Sequence, residues 1–148
     1  MSIEKPRLIV RKDERNPRET REGGFNADLS HSKIGSPVRT MQMFYRTIPP
    51  GHYSGNHRHN NEAIIYIISG HGFSIVDGER VDWGEGDVMT IPPWAWHNNC
   101  NLSSEEPVEF LAALNRPMLE ILRAWRIEDE DPKYAELSEK WMAEQYNT

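Results

Sequence analysis

Short apolar runs separated by turn-forming residues fill residues 39–114, and this pattern constrains the fold more than any other feature of the sequence. Residues 63–68 are β-branched and aromatic, which is the composition of a buried strand. Asp77 and Gly78 separate two further runs and predict a hairpin, because glycine tolerates the positive φ that a tight turn requires. At least six strands are predicted, at residues 39–48, 63–68, 73–76, 81–83, 88–91 and 108–114. They indicate an all-β domain, a small sandwich or barrel, rather than alternating βαβ units.

The segments on either side of this zone differ from it in composition. Residues 1–38 are charged and interrupted by Pro and Gly, so we expect an irregular arm, either mobile or docked on the body or on a neighbouring subunit. Pro117 begins the stretch PMLEILRAWRI, which predicts a short helix. Asp131-Pro132 predicts the start of a second helix, with one apolar face formed by Tyr134, Leu137 and Trp141. The predicted organisation is an N-terminal arm over 1–38, one β-barrel over 39–116 and a helical extension over 117–148.

Charge and length exclude several classes of protein. The 148 residues carry 17 Lys+Arg against 23 Asp+Glu, so the chain lacks the basic surface that binds nucleic acid or anionic membranes. No apolar run approaches the ~20 residues that span a bilayer, and the charged N-terminus does not resemble a secretory signal. A lone Cys100 excludes an internal disulfide and is expected to be an inert small side chain. We therefore expect a single-domain cytoplasmic protein that binds a small molecule, and the apolar sheet faces and C-terminal helices suggest a homodimer.

Three histidines carry the chemical signal. His57 and His59 are separated by one residue, so on a strand both side chains face the same side. His97 follows the turn at residues 92–94, after another strand, and could supply a third nitrogen. Two imidazoles on one interior wall are costly unless something uses their lone pairs, and a divalent metal ion does so. An isolated H-x-H pair is about as often merely solvated or hydrogen-bonded as it is metal-binding, so the spacing of the surrounding residues decides between these interpretations.

That spacing resembles the two motifs of the cupin superfamily. The first motif, G-x5-H-x-H-x3-E-x6-G, is matched by Gly51, His57, His59 and Gly70. The second, G-x5-P-x-G-x2-H-x3-N, is matched by Gly86, Pro92, His97 and Asn101, with Trp94 at the second glycine. The 15 residues between the motifs match the shortest spacing of the family. The resemblance implies a single cupin barrel, the double-stranded β-helix or jelly roll, with a metal site at the histidines.

One departure from the first motif narrows the resemblance. The glutamate position is occupied by Ala63, and Glu62 lies one residue earlier, where strand alternation turns it to the opposite face. The predicted site is therefore three histidines, His57, His59 and His97, without a carboxylate. This variant resembles the gentisate-type ring-cleaving dioxygenases, which hold ferrous iron with three histidines. Those enzymes are typically two-barrel chains, whereas this sequence predicts one barrel.

The narrower resemblance implies a non-haem Fe(II) dioxygenase that acts on a small aromatic or enolisable carboxylic acid. Zn(II), Mn(II) and Ni(II) also accept imidazole ligands, so the residues alone leave the metal open. A site holding Zn(II) or Ni(II) favours a non-oxidative lyase, isomerase or hydrolase. A cupin that binds a metal or small ligand without turnover is the other alternative.

Four residues are candidates for substrate contact. Trp94 and Trp96 precede His97 and could stack on a planar substrate, although Trp96 is equally compatible with the barrel core. Tyr45 shares alternation parity with Met41 and Met43, which predicts that it faces inward and offers a hydroxyl donor. The same parity predicts that Arg46 is a solvated or interface residue. Asn115 is included because residues 114–117 resemble the dioxygenases, whereas the remaining histidines are expected to be structural or exposed: His31, His52 and His71.

Overall fold

The computed structural model describes residues 5–20 and 24–130. In this part of the chain, two antiparallel sheets are formed by eleven strands, with one short helix. In chain order the elements are β1 (Arg18–Glu19), β2 (Phe25–Ser30), β3 (Gln42–Ile48), β4 (His57–His59), β5 (Ala63–Ser69), β6 (His71–Val76), β7 (Glu79–Gly84), β8 (Val88–Ile91), β9 (His97–Asn101), β10 (Val108–Leu114), α1 (Arg116–Ile121) and β11 (Ile127–Asp129). The larger sheet has the order β1-β2-β3-β10-β5-β8, and the smaller has the order β11-β4-β9-β6-β7. The predicted all-β class is confirmed.

The apolar core lies between the two sheets and follows strand alternation. On β10, every second residue is buried, from Val108 through Phe110 and Ala112 to Leu114. These side chains join the inward residues of the neighbouring strands, and fully burying a large apolar side chain contributes about 1.5–3 kcal/mol. The core cluster also includes Ile48, Ala63, Ile65, Ile67, Trp83, Met89 and Ile91.

Gly72 allows the large Trp83 ring to enter this core. A Cβ atom at Gly72 would lie 2.0 Å from the Cys100 carbonyl oxygen and 2.5 Å from the Trp83 ring. With glycine there, the Trp83 indole donates to Ser74 Oγ at 2.9 Å, and Ser74 Oγ donates to Asn99 Oδ1 at 2.8 Å. The polar edge of the buried indole is therefore satisfied, as buried N–H groups require.

The Asp77–Gly78 hairpin is confirmed, and it also bonds to the backbone just before β9, the strand that begins at His97. Asp77 and Gly78 have φ of 48° and 85°, which a tight hairpin turn requires. The Asp77 carboxylate accepts from the Trp96 N–H at 2.9 Å, and the Asp77 N–H donates to the Trp96 carbonyl at 2.8 Å. The turn between β6 and β7 thus fixes the backbone immediately before His97.

The segments at both ends differ from the expectations. Part of the expected irregular arm forms β1 and β2, and β2 pairs with β3, so the arm widens the larger sheet. The predicted helix that begins near Pro117 ends at Ile121 rather than at Ile127.

The chain reverses after this helix, at Arg123, whose φ is 54°. Beyond the reversal, Trp125 is buried and its indole donates to Asn61 Oδ1 at 2.9 Å, and β11 pairs with β4. This burial of Trp125 outweighs the helical periodicity of the local sequence. The second predicted helix, with Tyr134, Leu137 and Trp141, lies outside the described residues. Among the residues that are described, no helix is long and apolar enough to cross a membrane.

Candidate metal centre

Two adjacent strands bring His57, His59 and His97 together. His57 and His59 lie on the same face of β4, and His97 on β9 is the direct cross-strand partner of His57. The ring centroid of His97 lies 4.4 Å from that of His57 and 4.8 Å from that of His59. One nitrogen from each ring lies within 4.8 Å of the others. The spacing that the sequence predicts is thus realised as one cluster.

The backbone fixes which nitrogen of each ring faces the centre. The Nδ1 atoms of His57 and His97 lie 2.8 and 2.9 Å from the carbonyl oxygens of Gly55 and Ala95. The Nδ1 atom of His59 lies 3.1 Å from the carbonyl oxygen of Asn61. A carbonyl only accepts, so each Nδ1 carries the hydrogen and each Nε2 keeps its lone pair. Such orienting bonds are typical around imidazoles that bind metal ions.

Burial keeps these imidazoles neutral. It is the largest cause that lowers the pKa of all three rings, and for His59 the pKa falls to about 4. The nearby His97 further lowers the pKa of His57 and of His59. Neutral rings near pH 7 are the form that binds a metal ion.

The donor set fits a divalent transition metal. Three nitrogens that bind one ion at about 2.1 Å lie about 3.0–3.6 Å from one another, so nitrogens up to 4.8 Å apart need to approach by about 1 Å or more. Three imidazoles suit Fe, Zn, Ni and Cu ions, and a three-residue set leaves coordination positions for other ligands. In the described part of the chain, this cluster contains no carboxylate.

Glu62 points away from the cluster, as strand alternation predicts. Its carboxylate accepts from the Asn115 amide at 2.8 Å, and its backbone N–H donates to Asn115 Oδ1, also at 2.8 Å. Both residues meet beside a groove on the outer surface that includes Pro92 and Pro93. Asn115 therefore lies with Glu62 and does not line the histidine cavity, contrary to its expected contact with substrate.

A cavity of about 300 Å³ opens beside the cluster. His57 and His59 form part of its wall, whereas His97 lies behind them and is only 3% exposed. The other residues that line the cavity come from β1 to β3, from the turn after β4, from the end of β10 and from the segment that follows it. They are Arg18, Asn26, Asp28, His31, Lys33, Gln42, Phe44, Asn61, Leu114, Arg116, Trp125 and Ile127. A volume of this size suits a small ligand.

The prediction that Tyr45 faces this cavity is wrong. On β3, Gln42 and Phe44 line the cavity, so Tyr45 faces outward, where its hydroxyl donates to Glu109. Arg15 from the arm lies over the Tyr45 ring at 5.0 Å. Burial and the bond to Glu109 raise the pKa of Tyr45 to about 12, so this hydroxyl is occupied and protonated.

Arg46 takes the position that was expected of Tyr45. It shares the inner face of β3 with Phe44, and its charge contributes to the lowered pKa of His57. The apolar Met41 and Met43 were misleading, because both are exposed on the outer face. When the outer face of a sheet is also apolar, the alternation of apolar residues does not show which face of a strand is buried.

Trp94 and Trp96 also lie outside the cavity. The guanidinium of Arg58 is placed over both rings, 4.4 Å from the Trp94 centroid and 4.7 Å from the Trp96 centroid. Arg58 points away from its neighbours His57 and His59, and its far end forms an ion pair with Glu128 at 2.7 Å. The two tryptophans thus hold the outer side of the β4–β11 edge through cation–π contacts with Arg58.

Among the cavity residues that sequence reasoning missed are His31, Arg116 and Trp125. His31 was expected to be structural or exposed, yet it is 9% exposed and lines the cavity. Arg116 lies 3.7 Å above the Trp125 ring and pairs with Glu120 at 2.6 Å. No local pattern marks these positions, because they reach the cavity only through the pairing of β2 with β3 and the reversal at Arg123.

Comparison with known proteins agrees with this architecture. Residues 44–114 match the family described as Cupin domain. This span runs from β3 to the end of β10 and contains the three clustered histidines. Residues 44–114 are a cupin domain. The cupin motifs that the sequence resembles are thereby confirmed.

Two curated proteins illustrate the relatives of this cupin domain. Gentisate 1,2 dioxygenase 1 of Aquipseudomonas alcaligenes is 38% identical over 73 residues, which cover 49% of this chain and 21% of that enzyme. The 1-methylthio-D-xylulose 5-phosphate methylsulfurylase of Rhodospirillum rubrum is 29% identical over 76 residues, covering 51% of this chain and 48% of that protein. The cupin domain thus spans about a fifth of the first relative and about half of the second.

A solved structure has the same fold. It is a variant of salicylate 1,2-dioxygenase from Pseudoaminobacter salicylatoxidans in complex with gentisate, and it superimposes with a TM-score of 0.69. The superposition covers 78% of this chain and 31% of that chain at 17% identity. At this identity the likeness shows the cupin fold alone.

Proposed function

We propose that the cupin domain binds Fe(II) through His57, His59 and His97 and is a dioxygenase that cleaves a small aromatic acid. One observation carries this proposal: three neutral imidazoles, with no carboxylate among them, converge at the wall of a cavity sized for a small ligand. The similarity to gentisate 1,2 dioxygenase 1 supports the same reaction class.

Charge balance favours an anionic substrate. Neutral ligands leave the full charge of a divalent ion uncompensated by the protein. Of the basic residues that line the cavity, Arg18 pairs with the lining Asp28 and Arg116 pairs with Glu120, and Lys33 adds a further positive charge. Arg46 on the inner face of β3 adds a further positive charge near His57. A hydroxybenzoate, with a carboxylate and an ortho oxygen, satisfies both the ion and these side chains.

The chain's own residues would orient this substrate and shield it from water. Phe44 and Trp125 provide apolar and aromatic surface in the cavity wall, suited to a planar ring. The Trp125 ring is held between its indole bond to Asn61 and the guanidinium of Arg116, so this wall is rigid before substrate binds. Bound Fe(II) would supply the redox chemistry that a reaction with O₂ requires.

Oxygen uptake tests the proposal. The protein is loaded with Fe(II) without oxygen, its iron content is measured, and O₂ consumption is followed with gentisate, salicylate and, as a control, cyclohexanecarboxylate. We expect uptake only with the aromatic acids and none in His97→Ala, whereas His71→Ala, at an exposed histidine, retains it. Full iron occupancy without uptake for any aromatic acid would exclude the dioxygenase activity.

A second function, a non-oxidative reaction, is the alternative, because one relative, the methylsulfurylase, is not named a dioxygenase. The methylsulfurylase relative is matched over a larger share of its own length than the gentisate enzyme, 48% against 21%. Elemental analysis of protein purified without added metal separates the two. Zinc, manganese or nickel at one ion per chain favours the non-oxidative reaction or metal binding without turnover, and iron favours the dioxygenase.

We also propose that the protein is a homodimer. The outer face of the larger sheet exposes Met43, Ile64, Tyr66 and Val88, and contiguous apolar surface on a sheet face suits a second copy of the chain. Light scattering at micromolar concentration tests this, and we expect twice the mass of the chain. Tyr66→Lys on this face is expected to yield monomers, and a wild-type monomer would contradict the expectation.

A further inference from the structure

We propose that His31 is a substrate-binding residue, whose imidazole Nε2–H donates a hydrogen bond to an anionic oxygen of the bound aromatic acid. This inference rests on the proposed function for the class of substrate. It assigns to the N-terminal segment, which lies before the residues of the cupin family match, a direct part in recognition.

The position of His31 is built by tertiary structure. The strand β2 pairs with β3 and ends at Ser30, and His31 follows at the start of a short 3-10 turn. This places its ring in the wall of the same cavity that His57 and His59 line. His31 is only 9% exposed, so protein atoms surround most of its side chain.

The His31 ring carries its hydrogen on the opposite nitrogen from the three clustered histidines. Its Nδ1 accepts from the backbone N–H of Lys33 at 3.0 Å, so in the neutral ring Nε2 carries the hydrogen. In the cluster, Nδ1 donates to carbonyls and Nε2 keeps the lone pair. The backbone thus prepares three rings as acceptors for a cation and one ring as a donor.

No hydrogen bond is made by His31 Nε2 to residues 5–20 or 24–130. The cap on Lys33 uses only Nδ1, and an asparagine would provide that cap as well. Nε2 is not among the buried polar atoms that lack a partner, so it is open to the cavity, where a ligand or water can accept its hydrogen. An anionic oxygen in the cavity is a partner of the right chemistry.

The charges around His31 keep this ring neutral. Burial is the largest cause that lowers its pKa, and Lys33 and Arg116 act in the same direction. Asp28 on β2 and Glu120 on α1 act against them. A neutral ring near pH 7 preserves the Nδ1 acceptor and therefore the Nε2 donor.

Two substitutions separate the cap from the donor. His31→Asn keeps an acceptor near the position of Nδ1 but removes the Nε2 donor, whereas His31→Gln places an amide donor near Nε2. With Fe(II)-loaded protein under nitrogen, salicylate and gentisate affinities are measured by calorimetry, and iron content is measured in parallel. We expect His31→Asn to hold iron normally and to bind the acids on the order of 10-fold or more weakly, with partial recovery in His31→Gln.

His52→Asn is the matched control. The His52 ring also uses Nδ1 for a local backbone contact, to the Pro50 carbonyl at 2.9 Å, but it does not line the cavity. We expect wild-type affinity from this variant. Wild-type affinity in His31→Asn, with normal iron, would overturn the role of His31 alone. Absence of binding to the iron-loaded wild-type protein would overturn the proposed function and this role together.

Nuclear magnetic resonance of the wild-type protein gives a test that needs no variant to fold. With ¹⁵N-labelled histidine and Zn(II) as a diamagnetic ion, His31 is distinguished from the cluster because its hydrogen is on Nε2 and not on Nδ1. We expect salicylate to shift the His31 Nε2–H signal and to slow its exchange with water. An unchanged signal at saturating salicylate would contradict the proposal.

Discussion

His57 on β4 and His97 on β9 are cross-strand partners, and their ring centroids lie 4.4 Å apart. The two histidines of the H-x-H pair are farther apart, at 5.7 Å. Strand pairing is therefore as important to the cluster as the local sequence pattern. The histidine cluster forms only when β4 and β9 hold this register.

Loss of His97 is expected to abolish tight metal binding. In His97→Ala, two neutral rings remain, and we expect the affinity for Fe(II) or Zn(II) to fall more than about 100-fold, beyond the 10–100-fold typical of orienting partners. Metal content after dialysis against a weak chelator measures this. His71→Ala, at an exposed histidine on β6, is the control. Full occupancy in His97→Ala would show that another group binds the ion.

Glu62→Ala is expected to leave metal occupancy unchanged. The Glu62 carboxylate bonds to Asn115 on the outer side, so its loss costs a hydrogen bond at an exposed site, about 1 kcal/mol or less of unfolding free energy. Metal analysis and urea unfolding of the same preparation check both expectations. Loss of the metal without loss of folding would place this carboxylate at the ion instead.

Gly72→Ala is expected to destabilise the fold. The new methyl group meets the Cys100 carbonyl and the Trp83 ring, so we expect the unfolding free energy to fall by about 1–3 kcal/mol or more. Gly55→Ala is the control, because no atom lies within 4 Å of a Cβ at that position. Urea unfolding compares the two variants, and equal losses would refute the steric explanation.

The metal-free protein is expected to lose stability as the pH falls below the ordinary histidine range. The pKa values of His57, His59 and His97 are lowered from 6.5 in the folded state, so below this value the unfolded chain binds more protons than the native one. Stability therefore rises with pH, and the loss is complete for His59 only near its folded pKa of about 4. Between about pH 7 and about pH 5.5, we expect His59 to account for a loss of about 1 kcal/mol, and His57 and His97 to add to it in the same direction.

Urea unfolding with a chelator at these two pH values measures the loss. His59→Gln is expected to reduce the difference between them by about 1 kcal/mol, and His71→Gln to leave it unchanged. An identical pH dependence in wild-type protein and His59→Gln would mean that other groups are responsible.

The sequence predicted the parts of the fold that depend on local patterns. The strands at residues 63–69, 88–91 and 108–114 and the turn at Asp77 and Gly78 follow from composition and turn chemistry, and the motif spacing located the three histidines. The inner face of β3 was misassigned, because an apolar residue such as Met43 suggests a buried face. Met43 instead lies on the exposed face of the larger sheet, which is also apolar. His31 and Trp125 could not be placed, since each reaches the cavity through contacts with residues distant in sequence.

The pairing of β2 with β3 has a consequence for how such proteins diversify. The clustered histidines lie on β4 and β9, whereas Asp28 and His31 come from a segment that precedes the residues of the family match. Under the proposed function, we expect exchange of this leading segment to change which acid binds while the three clustered histidines stay in place. The residues proposed to select the ligand and those proposed to hold the ion thus come from separate segments of this chain.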